Sequence, residues 1–94
     1  MRFDWDPAKD AENRRKHDVS FSEASELFAS GLDFLEIFDA EHSDEEERFI
    51  AIGPISRGVI VVIWTERDGD TVRIISARKA TAGEVQLYRE HMGE

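Results

Sequence analysis

The sequence predicts an α+β fold: a short N-terminal strand, two helices, an antiparallel four-stranded meander and a C-terminal helix. Three observations carry that reading. Residues that favour helix starts, Asp6-Pro7, Ser20 or Ser22, and Thr81, stand before stretches of helical character. Between them, the chain from about residue 33 to 80 is built of apolar runs of strand length. Turn-forming residues at 56–58 and 67–70 divide those runs, and short connections make neighbouring strands antiparallel.

The elements follow in order. Phe3-Asp4-Trp5 is a short strand candidate. Asp6 is a good N-cap and Pro7 suits the first helical position, so a helix starts there and runs through AKDAENRRKH. It is mostly polar, which places it on the surface with one thin apolar side. Its basic end (Arg14, Arg15, Lys16, His17) complements the negative C-terminus of the helix dipole, with Asp18 in the turn. In SEASELFASG, Phe21, Ala24, Leu27 and Phe28 recur at helical spacing, and Gly31 stops the helix. DFLEIFD alternates as a strand does, with Phe34, Glu36 and Phe38 on one side and Leu35, Ile37 and Asp39 on the other. ERFIAIGPI and GVIVVIWTE meet at Ser56, Arg57 and Gly58, a hairpin signal. Asp68-Gly69 is the favoured pair for a tight hairpin turn, after which TVRIISARKA forms the last strand. Thr81 then caps AGEVQLYREHM.

Ninety-four residues suit one small domain spanning 1–94. Forty per cent hydrophobic residues, with eight Trp plus Phe, argue for a folded globule over a disordered chain. No apolar run approaches the roughly 20 residues needed to span a membrane. The opening MRFDWDPAKD is too polar for a signal peptide, so the expected compartment is the cytoplasm. The lack of cysteine excludes disulfides and thiolate metal sites, and the three histidines lack ligand spacing. No metal or cofactor is expected.

The net charge is −9, and seven of the 21 acids lie in residues 36–47, which hold no Lys or Arg. The other 14 acids against 12 bases leave −2, so the acidity is local. It argues against a broad basic surface for nucleic acid but leaves room for a small basic pocket. The acidic segment reads either as a solvated loop or as a contact for a basic partner.

FDWDPAKDAENRRKHDVSF, EERFIAIG, VVIWTER and RIISARKAT with a following Tyr88 resemble the BrnT family of toxins from type II toxin–antitoxin systems. The specific pieces are Trp5-Asp6 with Lys9, Asn13 and Lys16-His17; Glu47-Arg48; and Arg73 to Arg78. The resemblance implies a RelE-like fold and a ribonuclease that uses no metal. It also implies a BrnA-like ribbon-helix-helix antitoxin as partner, with operator DNA reached only through that complex. Two positions depart from the usual family pattern: Asp18 stands where Gly is usual, and Val85 where Arg is usual. The first should change the turn, since Asp visits positive φ less easily than Gly. The second removes a positive charge.

RNA can be cut without metal through its own 2′-hydroxyl. The attack needs a group to take that proton, positive charge for the phosphorane oxygens, and a proton for the leaving 5′-oxygen. Arginine suits the charge, histidine the proton transfers, and preorganised charge is the larger contribution. The catalytic candidates are therefore Arg48, Arg67, Arg78 and His17, and the RNA-binding candidates Lys9, Lys16, Arg73, Lys79 and Tyr88. Strand alternation sets Val72, Ile74, Ser76 and Arg78 on one side and Arg73, Ile75, Ala77 and Lys79 on the other, with cations emerging at the rims. Pairing across the 68–69 turn brings Arg48, Arg67 and Arg73 to one end and leaves Arg78 at the other, which conflicts with a single three-arginine pocket.

Each candidate has an ordinary structural alternative. Arg78 could bind the acidic segment or a helix end, Arg48 could form a surface ion pair, Arg67 could be a hairpin cation, and His17 could cap a helix. Lys9 and Lys16 could be solvated, and Tyr88 could pack the last helix beside Leu87. Trp5 and Trp64 read as core rather than base-stacking platforms. Two functions stay open: a ribonuclease toxin held inactive by its antitoxin, or a binding module with weak or no nuclease activity that partners a ribbon-helix-helix protein. Net acidity favours the second; Arg48, Arg67, Arg78 and His17 favour the first.

Overall fold

The computed structural model describes residues 1–93. Strand β1 (Arg2–Asp4) leads into helix α1 (Pro7–His17) and helix α2 (Phe21–Ala29). Strand β2 (Leu35–Phe38), a single 3₁₀ turn (Ala40–His42), and strands β3 (Arg48–Ile55), β4 (Gly58–Arg67) and β5 (Thr71–Lys79) follow, and helix α3 (Ala82–His91) closes the order. The five strands form one sheet in the order β1-β5-β4-β3-β2. The meander is antiparallel as expected, and β1 adds parallel to β5, with Arg2 facing Thr71 and Asp4 facing Arg73. No helix among the described residues is long and apolar enough to cross a membrane.

Local chemistry explains the boundaries. Asp6 accepts the Ala8 N–H at 2.9 Å and Pro7 opens α1. Ser20 and Glu23 form a reciprocal capping box at α2, and Thr81 and Glu84 form another at α3. Asp18 stands at positive φ in the turn after α1, the region that favours Gly. It takes the left-handed conformation itself, at φ 58° and ψ 31°, and its N–H closes on the Arg14 carbonyl. The hairpin between β4 and β5 is one residue longer than a tight two-residue turn, because Arg67 faces Thr71; Asp68 and Gly69 both carry positive φ within it.

The main core lies between the sheet and the two N-terminal helices. Val19, Phe21, Ala24 and Leu27 pack on Ala51, Ile60, Val62, Trp64, Val72, Ile74 and Ala77. The segment entering β2 lies so close to β3 that a Cβ on Gly53 would stand 2.7 Å from the Phe34 Cβ, and 3.3 Å from Leu27 of α2, so only glycine fits there. Ile52 and Val61 pair across β3 and β4, are equally buried, and point to the opposite face. There α3 packs on β3, with Val85, Tyr88 and Met92 as its half-buried side. Helices therefore cover both faces of the sheet, and α3 covers its face only in part.

Strand β5 departs from simple alternation. Ile63 faces Ser76 while Trp64 faces Ile74, which leaves Ile75 as an extra residue in a bulge. The bulge reverses the parity beyond it. Val72, Ile74 and Ala77 now share the core face, and Arg73, Ser76 and Arg78 share the face on which α3 lies. The expectation that Ser76 and Arg78 accompany Ile74, and Ala77 accompanies Arg73, is corrected by that one inserted residue.

Candidate active site

The site is framed by what covers the outer edge of β5. Strand β1 pairs only with Thr71 to Arg73, so the rest of that edge is free of strands. Helix α1 takes its place through Asn13. The Asn13 Nδ2 donates to the Ala77 carbonyl at 2.7 Å and to the Val19 carbonyl at 2.8 Å, and its Oδ1 accepts the Ala77 N–H at 3.2 Å. One amide thus does for Ala77 what a neighbouring strand would do. Asn13 is 7% exposed, and leaving one such buried group unpaired costs about 1–3 kcal/mol.

Lys9, Asn13 and Lys16 are spaced i, i+4, i+7 and lie on one side of α1. The Asn13 lock sets that side against the β5 bulge. Between them is a hollow of about 210 Å³ lined by Lys9, Glu12, Asn13, Lys16, His17, Ile75 and Ser76. Glu12 is its one acid. The Lys16 Nζ lies 2.8 Å from Glu12, and that hydrogen bond, reinforced by the ammonium charge, holds the Glu12 carboxyl below its usual range. Lys9 and His17 are exposed and have no side-chain partner among the described residues.

Arg78 lies two residues beyond Ser76 on the same face of the strand. Its guanidinium binds both Glu84 oxygens at 2.7 Å. Glu84 also accepts the Thr81 N–H at 2.9 Å, so this pair ties the start of α3 to β5. The two-pronged bond from Arg78 pushes the Glu84 carboxyl down to about 2, and Glu84 in turn raises Arg78. Arg78 keeps 40% of its side chain exposed.

The turn end of the sheet holds the other arginines. Arg48, Thr65 and Arg73 form one cross-strand rung, and Arg67 lies two residues beyond Thr65. Glu46 stands between two of these cations, 3.1 Å from the Arg67 Nη2 and 3.7 Å from the Arg48 Nε. The latter is too long for a hydrogen bond, and the buried Arg48 Nε has no hydrogen-bond partner among the described residues. Arg73 is bound to Asp4. A hollow of about 540 Å³ beside them is lined by Glu41, His42, Asp44, Glu45, Glu46 and Arg48, the wrong sign for a phosphate.

The candidates therefore divide. His17, Lys9 and Lys16 share the α1–β5 hollow, with Arg78 next along the strand. Arg48, Arg67 and Arg73 share the turn end. Arg78 is four residues of β4 away from the Arg48 rung, roughly 13 Å of strand, so no single three-arginine pocket forms. Lys79 lies 3.9 Å from Asp18, and Tyr88 packs on α3's inner side with its hydroxyl 3.5 Å from the Asp33 carbonyl. Sequence reasoning missed Ser76 and the role of Asn13. A poor helix former in mid-helix was the available signal for Asn13; the bulge left none, because Ile74 and Ile75 are equally apolar.

The model of the family described as "Ribonuclease toxin, BrnT, of type II toxin-antitoxin system" matches residues 5–84. Comparison with curated proteins by sequence gave no match. The crystal structure of the Brucella abortus ribonuclease toxin BrnT is similar, with a TM-score of 0.64 and 28% identity over 86% of this chain and 97% of that one. A family of type II toxins implies an antitoxin partner. The matched span takes in both N-terminal helices, the whole meander and the start of α3, and on that ground the chain belongs to the BrnT family of ribonuclease toxins.

Proposed function

We propose that this chain cuts RNA as a metal-independent endoribonuclease in the α1–β5 hollow. The observation that carries the reading is the meeting of His17, Lys9 and Lys16 with Ser76 across a gap that holds one acid. Lys9 and Lys16 hold the scissile phosphate. His17 takes the proton from the 2′-hydroxyl, the O2′–P bond forms, and the P–O5′ bond breaks as the 5′-oxygen takes a proton from water, the His17 proton returning to solvent. The products are a 2′,3′-cyclic phosphate and a 5′-hydroxyl. Arg78 stabilises the phosphorane charge from the neighbouring strand position. Arg48, Arg67 and Arg73 grip flanking phosphates once RNA displaces Glu46 and Asp4, and Lys79 adds charge at the His17 end. Tyr88 anchors α3.

A BrnA-like ribbon-helix-helix antitoxin neutralises the toxin in this reading, and the pair represses its own operon through the antitoxin's DNA contact. A second reading has its own support: Arg48, Arg67, Arg73 and Arg78 each stand beside a carboxylate of the same chain. That suits a binding module whose arginines are structural. Expression of the chain alone separates the two. Growth arrest with loss of bulk RNA, abolished in His17→Ala and weakened in Arg78→Ala, is the nuclease outcome. A folded, well-expressed wild type that leaves growth and RNA intact selects the binding module.

A further inference from the structure

We propose that the free edge of β2 is the anchor for the antitoxin, which adds an extended, basic segment there as a sixth strand. The proposal rests on family membership for the existence of an antitoxin, and on the following features for where and how it binds. β2 is the outer strand of the sheet on the side away from α1. It pairs with β3 on one side only, so its other row of backbone groups is open to another chain.

Its side chains select the mode of docking. Ile37 is 39% exposed and Phe38 51% exposed. They are consecutive, so they point to opposite faces of the sheet. Phe38 lies on the α2 face, edge-on to Phe49 at 5.7 Å, and Ile37 pairs with Ile50 on the α3 face. A helix laid on either face would cover one and leave the other in water. A strand added at the edge covers both, because its own alternate side chains flank each face.

Charge selects the occupant. Glu36 within β2, and Glu41, Asp44, Glu45 and Glu47 just after it, form no ion pair among the described residues. A second copy of this chain would bring the same unpaired acids against them, so edge-to-edge self-pairing is opposed. A segment that alternates apolar residues with Lys or Arg meets both the apolar pair and the acids. RNA is excluded by the same charge, which separates this edge from the α1–β5 hollow at the opposite edge.

The test is amide hydrogen exchange on the 94-residue chain, alone and saturated with its antitoxin. Amides of residues 35–38 should slow by roughly tenfold or more in the complex. Ile37→Lys with Phe38→Lys should weaken binding at least about tenfold, and so should raising salt from about 0.1 to 0.5 M. The double variant's fold is checked by its unchanged exchange in α1 and β5. Unchanged exchange at 35–38 in a saturated complex overturns the proposal. So does protection of 35–38 in the chain alone as its concentration rises, which would mean self-pairing. Failure of the wild type to bind the antitoxin also overturns it. RNA cleavage by the same wild-type sample reports on the nuclease reading separately, since binding is measured whether or not RNA is cut.

Discussion

The α1–β5 hollow and the turn end of the sheet hold similar numbers of cations and differ in what those cations are doing. At the turn end, Glu46 spans Arg48 and Arg67, and Asp4 holds Arg73. In the hollow, Lys9 and His17 have no side-chain partner among the described residues, and Lys16 has only Glu12. The cause lies in the chain order. The turn-end arginines adjoin an acid-rich loop and the aspartate of β1, so folding itself supplies their counter-charges. The face of α1 that carries Lys9 and Lys16 is set against a strand of neutral residues, Ile75 and Ser76, by a neutral amide. A cation count therefore says little about where a phosphate binds; the local supply of carboxylates decides it.

Mutations separate the two regions. His17→Ala should lower RNA cleavage by about 10²–10⁴-fold, while Arg67→Ala changes it by less than about threefold, in initial rates on a defined RNA. Equal losses would remove the distinction. Asn13→Ala should cost about 1–3 kcal/mol of stability by leaving the Ala77 and Val19 groups unpaired, read from a denaturant midpoint. It should also loosen α1 over the hollow and lower cleavage, with the turn-end ion pairs intact.

Acid acts on a third place, the Arg78–Glu84 strut. Glu84 titrates near 2 when folded, below its ordinary value of 4.5, so its contribution is present above about pH 4.5 and is lost as pH falls toward 2. The protection of amides in the first turn of α3, relative to their intrinsic exchange, should therefore fall as pH drops from about 4.5 toward 2, and Glu84→Gln should flatten that response. A response that persists in the variant would assign it to other carboxylates.

Asp18→Gly gives the smallest change. It relieves a left-handed conformation worth about 1 kcal/mol for a non-glycine residue. It loses exposed ion pairs with Arg57 and Lys79 but keeps the Arg57 bond to the residue 18 carbonyl at 2.9 Å. A gain below about 1 kcal/mol in unfolding free energy is expected. A loss would mean that the Asp18 carboxylate matters more than its backbone strain.

The elements were legible because each carries local chemistry: Asp6-Pro7, the two capping boxes, and the Asp68-Gly69 turn act within a few residues. The register conflict between Arg48 and Arg78 was also legible, since antiparallel pairing follows from the turns. What escaped was non-local or degenerate. Nothing in Arg73-Ile74-Ile75-Ser76 says which isoleucine is the extra residue, yet that choice turns Ser76 and Arg78 to the other face. Asn13 could be recognised as a lock only once Ala77, 64 residues away, was in place beside it. The Asp4 partner of Arg73 belongs to the same class, for the two lie 69 residues apart.

The most direct measurement is an NMR titration of the isolated chain with a short RNA whose 2′-hydroxyls are methylated, so that it binds without being cut. Binding in the hollow predicts the leading amide shifts at Lys9, Lys16, His17 and Ser76, with smaller ones at Arg48 and Arg67. Shifts led by Arg48, Arg67 and Arg73, with α1 silent at saturation, would contradict it.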